Sequence, residues 1–164
     1  MDHLTKLEEL LNGANIDIKN GAFDEATNKL EKIIDIDPNF GKAYNHLAYL
    51  YEVKFKEFEK GETLYKLCLE KSPMYPPVYY NYAVLLSTLR KYNELEELLD
   101  TAINITGITK STIFNEYAIM YEQQGKLDQA IEYYKKCALD TLDKGILERA
   151  KSSIERCNLK KELL

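Results

Sequence analysis

The sequence predicts an all-α fold of repeated helix pairs, and three observations support it. Apolar residues recur every 34–35 residues, they recur within each unit at helical spacing, and glycine and proline are scarce. With only 7 glycines and 4 prolines in 164 residues, the many tight turns of a β-sandwich or barrel are not expected. The 45% apolar and 30% charged residues are typical of a globular chain rather than a disordered one.

The repeat appears as five columns of aligned residues. A small residue recurs as Ala14, Ala48, Ala83 and Ala118, at spacings of 34, 35 and 35. Four further columns stay in register with it: Phe23, Phe58, Tyr92 and Leu127; Ala26, Gly61, Leu95 and Ala130; Leu30, Tyr65, Leu99 and Tyr134; Ile33, Cys68, Ala102 and Cys137. Five columns over four units predict four stacked helix pairs, with small residues where two helix backbones meet.

Turn signals separate the helices. Gly21 and Gly125 are predicted to end the first helices of units one and four in a left-handed conformation. Pro38 and Pro73 close the first two units. Ala48 and Gly61 are 13 residues apart, whereas the same interval in the other units is 12, so one residue is predicted to be inserted in the VKFKEF turn.

These columns resemble the tetratricopeptide repeat (TPR) family. The best single match covers residues 114–140, where the family's signature positions hold Phe114, Tyr117, Ala118, Tyr121, Gly125, Leu127, Ala130, Tyr134 and Cys137. The resemblance implies a TPR-type α-solenoid that occupies residues 1–164 as a single domain. Its four helix-turn-helix repeats are expected at about 7–40, 41–75, 76–110 and 111–141.

Residues 142–160 are predicted to form a C-terminal capping helix. Apolar residues recur there at intervals of three or four, as Leu142, Ile146, Ala150, Ile154 and Cys157. The opposite face is polar and holds Lys144, Glu148, Lys151, Ser152 and Glu155. A cap of this kind covers the apolar face that the last repeat would otherwise expose. A helix that docks on a partner is the alternative interpretation.

No catalytic, cofactor-binding or metal-binding motif is found in the sequence, so an enzyme is not expected. His3 and His46 are the only histidines, too few and too far apart for a zinc site. Cys68 and His46 offer the one conceivable nucleophile and base. However, Cys68 belongs to a column that Ile33 and Ala102 also occupy, which indicates packing. The glycines are scattered singly, without a phosphate-binding loop.

Charge and cysteine content limit the partners and the location. The net charge is −5, and Arg90, Arg149 and Arg156 are the only arginines, so no nucleic-acid partner is expected. No apolar run reaches the 18 residues of a membrane span, and the N-terminus lacks the apolar core of a secretory signal. No membrane partner is therefore expected. Three cysteines cannot all pair within one chain, which favours a reduced, cytoplasmic protein.

The TPR resemblance also implies a binding surface. In this family the first helix of each repeat lines a concave groove, and the matching positions here include Asn15, Asn45, Tyr49, Tyr80, Asn81, Val84, Asn115 and Ile119. Family members that clamp the acidic tail of heat-shock chaperones use lysine and arginine in this groove. Every such cation is missing from the matching positions here, so a carboxylate clamp is not expected. For Tyr49 and Tyr80, packing within the fold is an equally weighted alternative to contact with a ligand.

The function expected from these features is non-catalytic protein–protein interaction, with a peptide or partner helix lying in the concave groove. Two alternatives remain: a secretion-type chaperone for exported substrates, and a structural protein that self-assembles. The chain is expected to be a monomer or a weak homodimer.

Overall fold

The computed structural model describes residues 3–164, and every regular element in that part of the chain is helical. The predicted all-α fold class is therefore confirmed. The elements are α1 (His3–Asn20), α2 (Phe23–Ile36), α3 (Gly41–Tyr49), a π-helical turn (Leu50–Phe55), α4 (Phe58–Lys71), α5 (Pro76–Thr88), α6 (Tyr92–Ala102), α7 (Lys110–Gln123), α8 (Leu127–Asp140) and α9 (Lys144–Glu162). None of the described helices is both long and apolar enough to cross a membrane.

The backbone forms two compact units, one extending to Leu85 and the other comprising Leu86–Leu164. In the first unit, α1 packs on α2, α3 packs on α4, and α2 also contacts α3. In the second unit, α7 packs on α8, α6 contacts α7, and α9 packs on α8. Within each unit, these helices pack against helices that adjoin them in the chain, as the repeat predicted.

Small residues lie where paired helices approach each other most closely. All four alanines of the first column, Ala14, Ala48, Ala83 and Ala118, have no exposed surface. A Cβ atom built on Gly61 of α4 would lie 3.3 Å from the carbonyl oxygen of Ala48 and 3.4 Å from the amide nitrogen of Glu52. A larger side chain at Gly61 would therefore push α4 away from the segment that it packs against.

A tyrosine hydroxyl links the first helix of a repeat to the proline that closes the preceding one. Tyr44 donates a hydrogen bond to the Pro38 carbonyl oxygen at 3.0 Å, and Tyr79 donates to that of Pro73 at 2.7 Å. At the start of the fourth repeat, Ile108 stands in place of the proline and Phe114 in place of the tyrosine. Phenylalanine has no hydroxyl to donate. The missing proline and the missing tyrosine thus occur together.

Each of the four first helices ends at a residue in the left-handed conformation. These residues are Gly21 (φ 78°), Lys56 (φ 60°), Arg90 (φ 56°) and Gly125 (φ 74°). The prediction for the two glycines is confirmed. Lys56 and Arg90 adopt the same left-handed conformation, whose steric cost is small only for glycine. Nothing in the sequence indicates this conformation at these two positions.

The inserted residue lies in the π-helical turn Leu50–Phe55, which overlaps the predicted VKFKEF segment but begins earlier. The amide that follows each left-handed residue shows the effect. Ala22, Lys91 and Lys126 donate to carbonyl oxygens five residues back, whereas Glu57 donates to Tyr51, six residues back, at 2.8 Å. A π turn absorbs an extra residue while the backbone stays hydrogen-bonded, so Gly61 still meets Ala48.

The last helix begins two residues later than predicted. Asp143 caps it, since its Oδ1 accepts a hydrogen bond from the backbone N–H of Ile146 at 2.8 Å. Leu142 therefore precedes the helix and is fully exposed, so its assignment to the apolar face was wrong. Ala150 and Cys157 are buried, while the predicted polar face is exposed throughout.

Replacing Arg90 by glycine should stabilise the protein. Glycine removes the steric cost of the left-handed conformation, roughly 1–2 kcal/mol, although it also adds disorder to the unfolded chain. We expect Arg90→Gly to raise the free energy of unfolding by about 0.5–1 kcal/mol, measured by urea denaturation. Gly125→Ala, which introduces the same cost, should lower it. A destabilised Arg90→Gly variant would contradict this interpretation of the turn.

Candidate binding cleft between α7 and α9

The predicted groove residues of the first unit differ in their exposure. Asn45 is only 3% exposed, and its Oδ1 accepts a hydrogen bond from Nδ2 of Asn81 at 3.2 Å. The amide of Asn45 is therefore enclosed by the fold, and the expected contact with a ligand stays a prediction. Tyr49, Tyr80, Asn81 and Asn15 are partly exposed, and Val84 is 49% exposed.

The predicted groove residues of α7, Asn115 and Ile119, line an open cleft of about 590 Å³ in the second unit. One wall is α7 and the other is α9, with two buried residues of α8 between them. The lining consists of Ser111, Thr112, Asn115 and Ile119 of α7, Tyr134 and Cys137 of α8, and Gly145, Ile146, Glu148, Arg149, Ser152, Ser153 and Arg156 of α9. Ligand clefts in proteins typically measure ≈ 300–1,000 Å³.

The lining combines hydrogen-bonding groups with apolar surface. Accessible hydroxyl groups come from Thr112 on α7 and from Ser152 and Ser153 on α9, and Asn115 adds an amide, whereas Ser111 is buried. Hydroxyl and amide groups both donate and accept hydrogen bonds, so they can pair with either polar group of a peptide backbone. Ile119 and Ile146 supply apolar contact. The cleft can therefore bind a backbone and apolar side chains together.

Glu122 at the end of α7 holds α9 in place. Its carboxylate accepts two hydrogen bonds from the Arg156 guanidinium, at 2.7 and 2.8 Å, and one from Lys160 at 2.6 Å. The Tyr134 hydroxyl of α8 donates to the same carboxylate at 2.8 Å. Paired guanidinium and carboxylate groups form strong, directional bonds, so three helices are tied together at this point.

Hydrogen bonding determines the charge state of this cluster. The bonds from Arg156, above all, and those from Lys160 and Tyr134 lower the pKa of Glu122 to about 2, although burial opposes the shift. Burial and the bond to Glu122 raise the pKa of Tyr134. At neutral pH the cluster therefore consists of one carboxylate, two cations and a neutral phenol.

Burial shifts the pKa values of Cys68, Cys137 and His46. Burial raises the pKa of Cys68 to about 12, so its thiol stays protonated at neutral pH. Burial lowers the pKa of His46, whose Nδ1 lies 2.8 Å from the Lys42 carbonyl oxygen. Burial also raises the pKa of Cys137 in the cleft. Among residues 3–164, no group of three His, Cys, Asp or Glu side chains is arranged to hold a metal ion.

Sequence reasoning missed the contribution of α9 to the cleft. The helix was predicted as a cap, and it does cover α8, but it also forms one wall of the cleft through Arg149, Ser152 and Ser153. One signal was available. Two of the three arginines of the chain fall in α9, and both line the cleft.

Comparison with known proteins identifies the repeat that carries α7 and α8. The sequence model described as "Tetratricopeptide repeat" matches residues 112–139. This part of the chain is therefore similar in sequence to a tetratricopeptide repeat. No curated protein matches the chain in sequence.

Three solved structures share the TPR fold at low identity. PilF of Pseudomonas aeruginosa is 20% identical, with a TM-score of 0.83 over 95% of this chain and 69% of its own. YrrB, described as a TPR protein with an unusual peptide-binding site, is 16% identical (TM-score 0.72, 98% and 84%). The TPR2B domain of yeast Sti1, in complex with pHsp70, is 19% identical (TM-score 0.66, 73% and 98%).

The contacts of Glu122 predict acid sensitivity. Its folded pKa lies below the ordinary value, so its stabilising effect is fully present above about pH 4.5 and declines as the pH falls toward 2. The free energy of unfolding of the wild type should therefore fall more steeply over this range than that of Glu122→Gln. Urea denaturation at successive pH values measures both slopes.

Glu155→Gln provides the control, because Glu155 is an exposed carboxylate of α9. Its slope should match that of the wild type. Equal slopes for the wild type and Glu122→Gln would show that the carboxylate does not hold α9 in solution.

Proposed function

We propose that this TPR protein is an interaction module that binds an extended segment of a partner protein in the cleft between α7 and α9. TPR folds generally serve protein–protein interaction, which supports the general class. The observation that carries the proposal is the lining of the cleft, where hydroxyl and amide groups of two facing helices flank the apolar side chains of Ile119 and Ile146.

The chemistry of the lining favours an extended segment over a helix. The backbone groups of a helix already bond to one another and leave only side chains for recognition. An extended segment presents free N–H and C=O groups, which Asn115 and the serines of α9 can pair. The peptide-related descriptions of YrrB and of the Sti1 domain provide supporting analogies from the same fold.

Filling the cleft should block binding. Ser152 is exposed on α9 and lines the cleft, so Ser152→Tyr places an aromatic ring in the path of a bound segment. Lys151→Tyr adds the same ring at the neighbouring exposed position, which does not line the cleft, and serves as the matched control. Peptides selected from a random displayed library on the wild type should bind Ser152→Tyr at least about tenfold more weakly, a loss of about 1.4 kcal/mol, by calorimetry.

Equal binding to both variants would place the peptide elsewhere and contradict the proposal. Should no peptide bind, while the wild type shows a mass that rises with concentration, the self-assembling alternative would replace it.

A further inference from the structure

We infer that the cleft between α7 and α9 selects an acidic segment, with a carboxylate side chain of the partner paired to Arg149. This inference rests on the proposed function, since it names the chemistry of the segment that the same cleft would bind. It draws on three observations: the distribution of charge along the chain, the balance of charge around the cleft, and the position of Arg149.

Charge is distributed unevenly along the chain. The whole chain has a net charge of −5, yet α9 carries six basic residues and three acidic ones. The wall that α9 contributes is therefore positive, although the protein as a whole is acidic. A charged wall of this kind attracts partners of opposite sign and repels those of the same sign.

The charges nearest the cleft leave an excess of positive charge. Glu122 is the single carboxylate bonded to both Arg156 and Lys160, so that cluster keeps one uncompensated positive charge. Glu148 is the one acidic residue that lines the cleft, and it lies 3.7 Å from Lys144 on the same helix. The charge of Asp140 also acts on Cys137 in the cleft, so the local balance is positive by one charge once Arg149 is counted.

Arg149 is placed to use this excess. It is exposed, it lines the cleft, and it takes part in no ion pair of the described residues. Its charge also acts on Cys137 between the two walls, where it opposes the effect of burial on the thiol pKa. The guanidinium therefore lies at the wall of the cleft and has its donors available.

A carboxylate is the group that fits this arrangement. A guanidinium offers two parallel N–H donors that match the two oxygens of a carboxylate, and the neighbouring serine hydroxyls add further donors. The cation comes from α9, outside the four repeats, whereas the repeat positions that match a carboxylate clamp lack cations. A neutral segment would gain only the backbone and apolar contacts, and a basic one would be repelled.

Two fluorescein-labelled peptides test the inference. One alternates leucine with glutamate and serine, and the other is identical except that every glutamate is glutamine. Fluorescence anisotropy should show that the acidic peptide binds the wild type at least about tenfold more tightly, with a difference that shrinks as salt is raised from about 50 to 200 mM. Equal affinity for the two peptides would overturn the inference.

Variants of α9 test the role of Arg149 itself. Arg149→Gln should weaken the acidic peptide about tenfold and leave the glutamine peptide unchanged. Lys151→Gln removes an equal charge from an exposed position outside the cleft, so its effect should stay within about twofold. Arg149→Lys keeps the positive charge but loses the paired N–H donors of the guanidinium. Its loss of affinity should therefore lie between those of the other two variants. Equal losses for Arg149→Gln and Lys151→Gln would show a diffuse attraction and overturn the pairing.

The outcome also separates this inference from the proposed function. Neutral or basic library peptides that bind the wild type and lose affinity for Ser152→Tyr would overturn the acidic preference and leave the cleft as the binding site. If neither the library peptides nor the two labelled peptides show binding that Ser152→Tyr weakens, both the inference and the proposed function would be overturned.

Discussion

The close approach of paired helices is the constraint on which the rest of the structure depends. Ala14, Ala48 and Ala118 are fully buried, and a Cβ atom on Gly61 would lie only 3.3 Å from the Ala48 carbonyl oxygen of α3. Because the backbones approach so closely at these points, the larger apolar residues of the other columns can pack around them in each unit. The spacing also fixes which side of each first helix is covered and which side is open. The cleft is one such open side, bounded by a helix that lies outside the repeats.

Much of the fold could be predicted from the sequence, because a helix that buries one face repeats its apolar residues at a helical period. The helix pairs, the buried columns and the polar face of α9 all follow from this rule. The left-handed turns at Lys56 and Arg90 could not be predicted, because neither residue signals that conformation. The start of α9 depends on a single hydrogen bond from Ile146 to Asp143, and a regular apolar spacing that includes Leu142 conceals it.

The candidate site was less predictable for a physical reason. A family resemblance assigns residues to a surface helix by helix, but exposure depends on what the neighbouring helices cover. Asn45 shows the limit, since Asn81 uses its amide within the unit. Asn115 and Ile119 do line the cleft, yet the opposite wall comes from α9, which belongs to no repeat and has no column to align. The carboxylate of Glu122 gives this wall its position, because it joins three helices through directional bonds.

The π-helical turn at Leu50–Phe55 has a consequence for how this kind of chain can evolve. An extra residue in an ordinary helix rotates everything after it by about 100°, which would turn the next apolar face toward solvent. Here the rotation is absorbed before Glu57, and the following helix keeps its register against Ala48. Single-residue insertions can thus accumulate at the ends of first helices without loss of the fold. Repeats that share one architecture can therefore differ in length, as the second repeat differs here from the repeat at residues 112–139 that matches the family model.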